Sequence, residues 1–529
     1  MSEGAVQGQA SATAHEVRGR AARGAVWAIA GFGGGQALRF VGNLILTRYV
    51  APEAFGIMVI VNTFLTGLAL FSDIGIGASV IQNKRGDESA FLNTAWTLAV
   101  IRGIAIALVA SLCAWPAAWF YDQPALLALL PVAALNVVAY GAASMRLVVA
   151  NRRLQLGRLT IVELVSQALG LVVMVAWAMG HPSVWALVMG GVLGPMFRAV
   201  LSFLVFPPPH EKLHWDKEMA REMVHFGKWI LVSTGLMFAA NNLDRLIFGK
   251  VIHLDMLGYY NQATQLAAVP ASALAHLGQN IIFPFFSAIV IAHGNLGQEY
   301  RRARWPMLIV GGWAVSGLLV GGPAAVRFLY PVDYVSAGTM LQILALGSWF
   351  GVVLEGPNGA ALLAQGKPRW TAAGSLAKVV VMVPALFIGA HLGRSWGGNE
   401  TTAFYGALFG LAFAEVVRYV VSAIAVWRIG LHALRQDLLL TTIVLGSALV
   451  GILSLDWMRS FFVPWSVVIT SSFATVLVPI HQKLLLTEAR ALAGLQGAWA
   501  AVVVTGLWAP LLWNAWRQRT LRAQKRTDR

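Results

Sequence analysis

Apolar runs of about 18 to 25 residues, separated by short polar turns, recur along the whole chain, and each is long enough to cross about 30 Å of hydrocarbon. They fall near residues 24–48, 56–80, 91–120, 125–149, 160–179 and 183–206, then 226–250, 257–285, 305–330, 338–363, 371–391 and 403–427. Two more follow at 438–455 and 461–480. The pattern predicts an all-α polytopic membrane protein of about fourteen transmembrane helices. A further Trp-rich apolar segment at 497–516 precedes a basic tail, 517–529. If it crosses, the tail lies outside, against the charge rule; otherwise the segment lies in the cytoplasmic interface, where Trp and Arg are stable.

Charge placement sets the orientation. One set of alternate turns holds Arg18, Arg20 and Arg23; Lys84 and Arg85; Arg146, Arg152, Arg153 and Arg158; and Lys212, Lys217, Arg221 and Lys228. It continues with Arg301, Arg302, Arg304, Lys367, Arg369, Arg428 and Arg435, whereas the other set holds little beyond Arg48, Lys250, Arg394 and Arg459. This bias of roughly five to one predicts a cytoplasmic N-terminus. The N-terminal stretch 1–23 is polar, and the apolar segment after it is long with no small-residue cleavage pattern, so the stretch reads as a cytoplasmic tail and not as a cleaved signal peptide.

The longest polar stretch, 207–225, opens with Pro207-Pro208-Pro209 and divides the pattern into lobes at 24–206 and 226–427, with hydrophobic helices at 428–516. The first hairpin, Arg48-Tyr-Val-Ala-Pro-Glu-Ala-Phe-Gly56, has a counterpart in Lys250-Val-Ile-His-Leu-Asp-Met-Leu-Gly258. Both place a basic residue first and an acidic residue three before a glycine. Six spans separate the copies, so they share one membrane orientation, and a pseudo-two-fold axis along the membrane normal is expected.

Composition adds three points. With 529 residues, 58% hydrophobic and 12% charged, the chain has about half the charge density of a soluble protein. The net charge of +16 does not indicate nucleic-acid binding, because the basic residues sit in short turns and tails. Cys113 is the single cysteine, within an apolar run, so no intramolecular disulfide forms.

Four segments carry a family resemblance: Leu46-Thr-Arg-Tyr-Val-Ala-Pro-Glu-Ala-Phe-Gly56, Asp73-Ile-Gly-Ile-Gly-Ala-Ser-Val-Ile-Gln82, Asp244-Arg-Leu-Ile-Phe-Gly-Lys250 and Leu257-Gly-Tyr-Tyr-Asn-Gln-Ala263. Over most of 20–485 the chain resembles the polysaccharide transporter family. These are lipid-linked oligosaccharide flippases of the multidrug/oligosaccharidyl-lipid/polysaccharide exporter superfamily. The resemblance implies two six-helix lobes around a cavity open alternately to each side, a bacterial inner membrane, and an undecaprenyl-pyrophosphate-linked repeat unit as cargo. A polysaccharide polymerase and a chain-length regulator would be partners. No cofactor is implied beyond coupling to a Na+ or H+ gradient.

Charges inside the apolar runs are the candidate site, since a charge at the bilayer centre is costly and faces a cavity or a partner. Arg39 lies about 22 Å along the first span, with Gln36 and Asn43 on its face; it is the first choice for a cargo-phosphate contact, a guanidinium fork matching phosphate oxygens. Arg102, Asn241, Arg245 and Lys378 are further candidates for cargo binding. Asp73, Glu163, Asp244 and Glu355 are candidates for ion coupling, and Glu355-Gly-Pro-Asn-Gly359 is expected to break its helix. Arg198 is expected to snorkel, Glu415 and Arg418 to pair at i,i+3, and His276, Gln279 and Asn280 to contact sugar or a neighbouring helix.

No Walker A loop, nucleophile elbow, paired-Cys site or HExxH motif occurs. A membrane-embedded ligase or polymerase would carry a large catalytic loop on the outer side, but the turns there are short and lack Asp-x-Asp or Asp-x-Glu. A drug exporter of the same superfamily would favour an acidic cavity, whereas the embedded excess here is cationic.

Overall fold

The computed structural model describes residues 26–72, 75–206, 208, 210–292, 294–473 and 478–527, and these are all-helical. The first compact unit, Met1–Gly258, contains α1 (26–46), α2 (Pro52–Phe71), α3 (Ile76–Gln82), α4 (Ser89–Tyr121), α5 (Leu126–Ala142) and α6 (Arg146–Arg152). It continues with α7 (Leu156–Gly180), α8 (Val184–Val205) and α9 (Lys217–Val251). At its end, α10 (Leu254–Leu277) begins. The second unit, Tyr259–Arg529, holds α11 (Phe283–Ile291), α12 (Leu296–Leu329), α13 (Ser336–Ser348) and α14 (Glu355–Ala364). It ends with α15 (Pro368–Gly397), α16 (Glu400–Arg428), α17 (Leu434–Phe473) and α18 (Val478–Thr527).

Among the described residues ten helices are long and apolar enough to cross a membrane, or eleven if the bent pair α5–α6 is one span. Large apolar side chains such as Leu112, Trp119, Leu204 and Ile291 are strongly exposed, the reverse of a water-soluble surface and the arrangement lipid requires.

Several predicted spans are broken rather than straight. The run 125–149 bends by 57° between α5 and α6. The run 257–285 passes through a π-helical turn at Gly278–Ile282. Gly75, with φ of 65°, starts α3 in the left-handed conformation that glycine adopts without penalty. Glu355-Gly-Pro-Asn-Gly359 does not break its helix. A π-helical turn at Trp349–Leu354 precedes it, and α14 starts at Glu355. Pro357 thus falls in the first turn of α14, where its missing N–H leaves little unsatisfied.

The C-terminal segments also differ from expectation. The predicted break between 438–455 and 461–480 is absent, because α17 continues from Leu434 to Phe473; neither Gly nor Pro occurs at 456–460 to stop it. Residues 474–477, inside the predicted 461–480 span, lie outside the described set. The stretches that satisfy the crossing criteria are Leu434–Trp457 and Leu492–Ala515, the latter containing most of the 497–516 segment.

The boundary between compact units falls after Gly258, one helix beyond the proline-started linker. The linker is bound to the first unit: the Lys212 amide donates to Asn93 Oδ1 (3.0 Å), and the His214 amide to Thr97 Oγ1 (3.0 Å). Asp216 then caps α9, accepting from the Glu218 and Met219 amides. Along its length α9 packs on α2, with Phe238 edge-on to Phe71 at 5.7 Å.

The repeated hairpin motifs meet each other. A Cβ on Gly56 would lie 2.0 Å from the Leu254 carbonyl oxygen, and one on Gly258 would lie 2.1 Å from that of Pro52. Each glycine faces the residue four positions before the other, so the helix starts of α2 and α10 cross reciprocally at a spacing only glycine permits. In the second unit, α15 and α16 are zipped by Gly389 and Gly393 against Gly406 and Thr402; a Cβ on Gly406 would meet the Gly389 oxygen at 2.0 Å. This is the small-residue contact by which membrane helices approach closely.

Candidate functional site

In the first unit a cavity of about 420 Å³ lies between α2, α3, α4, α5 and α6, with Asn62, Thr66, Arg102, Asn136 and Tyr140 among its lining residues. Its volume is within the range of small-molecule sites. Arg102 reaches from α4 to the end of α2, donating from Nη2 to the Ala69 carbonyl (2.6 Å) and from Nε to Ser72 Oγ (3.2 Å). The guanidinium thereby caps carbonyls at the negative end of a helix dipole.

Arg198 is 2.7 Å from Glu163 and stacks over the Tyr140 ring at 5.2 Å. It thus meets a carboxylate and an aromatic face, where it was expected to snorkel. Arg39 is exposed on α1. Its Nε (2.9 Å) and Nη2 (2.5 Å) both donate to Gln36 Oε1. A neutral amide, one helical turn away, thus orients this cation without neutralising it. Asn43 is half-buried one turn further along. Small residues seat α1 on α7: a Cβ on Gly34 would meet the Leu164 side chain, and one on Gly42 that of Leu171.

On α9, Asp244 is buried and Arg245 half-buried, while the exposed Asn241 donates to the Met237 carbonyl at 2.8 Å. Asp73 lies outside the described residues. His276 and Gln279 are exposed where α10 gives way to its π-helical turn, and the side chain of Asn280 lies outside the described set.

The second unit treats its charges differently. Lys378 Nζ is 2.5 Å from Glu415 Oε1, Arg418 is 3.9 Å from Glu415 Oε2, and Arg418 Nη2 is 3.3 Å from Glu355 Oε2. The pair expected at Glu415 and Arg418 is thus the middle of a four-member chain of alternating sign and zero net charge. It joins α15, α16 and α14. Gly351, in the π-helical turn, makes room for it: a Cβ there would lie 2.2 Å from Glu415 Oε2. Lys378 and Glu355, predicted for different tasks, are brought into one network, and neither charge is available without displacing a partner.

A further buried network was not anticipated. Arg304, fully buried, donates to Asp437 Oδ1 at 2.7 Å, and Tyr419 donates to Asp437 Oδ2 at 2.7 Å. Beside it the Tyr300 hydroxyl bonds Asn358 Oδ1, and Asn358 Nδ2 donates to Ser422 Oγ at 3.1 Å. Sequence reasoning placed Arg304 among turn cations; the i,i+4 spacing of Tyr300 and Arg304 was the available signal, but their partners on α14, α16 and α17 are distant in sequence.

Ten or eleven helices long and apolar enough to cross a membrane, among the described residues, define a multi-pass membrane protein. A family profile described as "Polysaccharide biosynthesis protein" matches residues 45–337, more than half of the sequence, and the chain belongs to that family. It is 22% identical over 365 residues to the lipopolysaccharide biosynthesis protein WzxC of Escherichia coli, covering 68% of this chain and 73% of that one. It is 23% identical over 303 residues to the teichuronic acid biosynthesis protein TuaB of Bacillus subtilis, covering 56% of this chain and 61% of that one. Its fold is similar to that of the lipid II flippase MurJ in an inward closed conformation, with a TM-score of 0.62 at 10% identity over 92% of this chain and 99% of the other.

Proposed function

We propose that this protein flips undecaprenyl-pyrophosphate-linked oligosaccharide repeat units from the cytoplasmic to the outer leaflet of a bacterial inner membrane, by alternating access of two lobes. The cargo feeds assembly of an exopolysaccharide, capsule or lipopolysaccharide O-antigen. Arg39 carries this reading: it is an exposed guanidinium within the first apolar span, oriented by Gln36. An arginine held by a neutral group keeps its charge for a ligand, and its planar donor fork suits a pyrophosphate. Arg102, Asn43, Asn241 and Arg245 would extend the polar path for phosphate and sugars, with membrane lipid receiving the prenyl tail.

Topology supports the reading. With the N-terminus cytoplasmic, an even number of crossings ending at 492–515 would return the basic tail to the cytoplasmic side, in accord with the charge rule. Of the carboxylates proposed for ion coupling, Glu355 is the strongest, since a Na+ or H+ there would compete with Arg418 for the same oxygen. Polymerase and chain-length regulator proteins would act on the flipped product.

The test is deletion of the gene in its host, complemented by wild type, Arg39→Ala and Arg39→Lys. The readouts are surface polysaccharide and repeat units on the cytoplasmic leaflet. Deletion is expected to remove surface polysaccharide and trap repeat units inside, and well-expressed Arg39→Ala is expected to behave like the deletion. Finished repeat units that reach the outer leaflet unpolymerised or unattached would overturn the reading in favour of a ligase or polymerase.

A further inference from the structure

The second unit contains another cavity of about 430 Å³, bounded by α11, α12, α17 and α18 and separate from the charged chain described above. One side is apolar, formed by Ile281, Ile282 and Phe285, and the other is cationic, formed by Arg301 and Arg302. Trp305 stands one turn beyond Arg301 on the same face of α12. The cleft is built rather than incidental: Gln436 of α17 donates to the Arg301 carbonyl at 3.2 Å, and Ala515 leaves room on the α18 side. Gln436 Oε1 is buried with no hydrogen-bond partner.

Arg301 is exposed, and its guanidinium has no partner among the described residues. Arg302 holds Glu299 at 2.9 Å in a half-exposed pair, a contact weak enough to yield to a phosphate. Beyond Ala515 the sequence continues with Arg517, Arg519, Arg522 and Lys525. An apolar floor, a tryptophan and a cationic rim in this order match the cross-section of an anionic amphiphile at a membrane interface.

We infer that this cleft binds an anionic glycerophospholipid of the cytoplasmic leaflet, its phosphate on Arg301 and Arg302 and an acyl chain along Ile281, Ile282 and Phe285. The site stands apart from the cargo reading, because it needs only lipid and this unit. Bound there, the lipid ties α11 and α12 to α17 and α18.

The full-length protein in nonionic detergent, titrated with phosphatidylglycerol or phosphatidylcholine of matched chains and observed by native mass spectrometry, tests the assignment. Wild type is expected to retain one phosphatidylglycerol in preference to phosphatidylcholine. Arg301→Gln with Arg302→Gln is expected to lower that preference on the order of 25-fold, since each arginine near an anionic headgroup contributes about fivefold. Ala515→Trp, which fills the cleft but keeps both arginines, is expected to lose the lipid as well. Equal retention of the two lipids, or retention unchanged in both variants, overturns the site. Displacement by millimolar inorganic phosphate reduces it to a simple anion site, and displacement by equimolar undecaprenyl phosphate reassigns it to the cargo; either result contradicts the inference.

Discussion

The two compact units solve the problem of charge in a membrane in opposite ways. In the second, Lys378, Glu415, Arg418 and Glu355 form a chain in which every charge meets its opposite, and Arg304 is bonded to Asp437 in the core. In the first, Arg198 is paired with Glu163, but Arg39 is held, among the described residues, by a neutral amide and left exposed. A balanced buried network holds helices together, because removing any member strands a desolvated charge. A cation held by a neutral group contributes little to folding and keeps its electrostatic attraction for an anion. The same residue types therefore hold helices together in the second unit, where Glu355 is also the candidate for ion coupling, and, on the proposed reading, meet cargo in the first.

The comparison breaks most visibly where burial is deepest. Asp437→Ala leaves Arg304 with no counter-charge, and about 3–5 kcal/mol of stability is expected to be lost, read as a fall in the thermal midpoint of the detergent-solubilised protein. The double variant Arg304→Met with Asp437→Leu is expected to recover most of that loss, since an apolar pair leaves no stranded charge. Glu415→Gln strands Lys378 and part of Arg418; the loss is expected to be smaller, about 2–3 kcal/mol, because Glu415 and Arg418 are partly exposed. Adding Lys378→Met to it should restore stability in the same assay. Gly406→Leu forces apart helices that now touch backbone to backbone and is expected to cost about 1–3 kcal/mol. Arg39→Ala sits at the far end of the series: a stability change within about 0.5 kcal/mol, with loss of transport in the complementation assay.

The sequence made local patterns legible and left contacts between distant segments hidden. Hydropathy located the helices through residue 428, and the matched motifs ending in Gly56 and Gly258 marked two segments that cross at those glycines. The Arg39–Gln36 contact followed from three-residue spacing. The π-helical turn before Glu355 did not, because Pro357 signals a break only near its own position, and the strain is relieved one turn earlier. Nor did the Arg304–Asp437 pair, whose members are separated by 133 positions; charge complementarity over that distance leaves no periodic trace. The C-terminal helices were misdivided because a short interruption at 456–460 separates two apolar runs, yet it holds no Gly or Pro to stop a helix.

The most direct test is calorimetric binding of a short-chain prenyl pyrophosphate to purified wild type, Arg39→Ala, and the charge-balanced double variant Lys378→Met with Glu415→Gln. The account predicts that Arg39→Ala weakens binding by about tenfold or more, the loss of one or two charge-assisted hydrogen bonds, while the double variant binds like wild type. Unchanged affinity in Arg39→Ala together with a large loss in the double variant would contradict it, assigning the cargo phosphate to the second unit and Arg39 to packing.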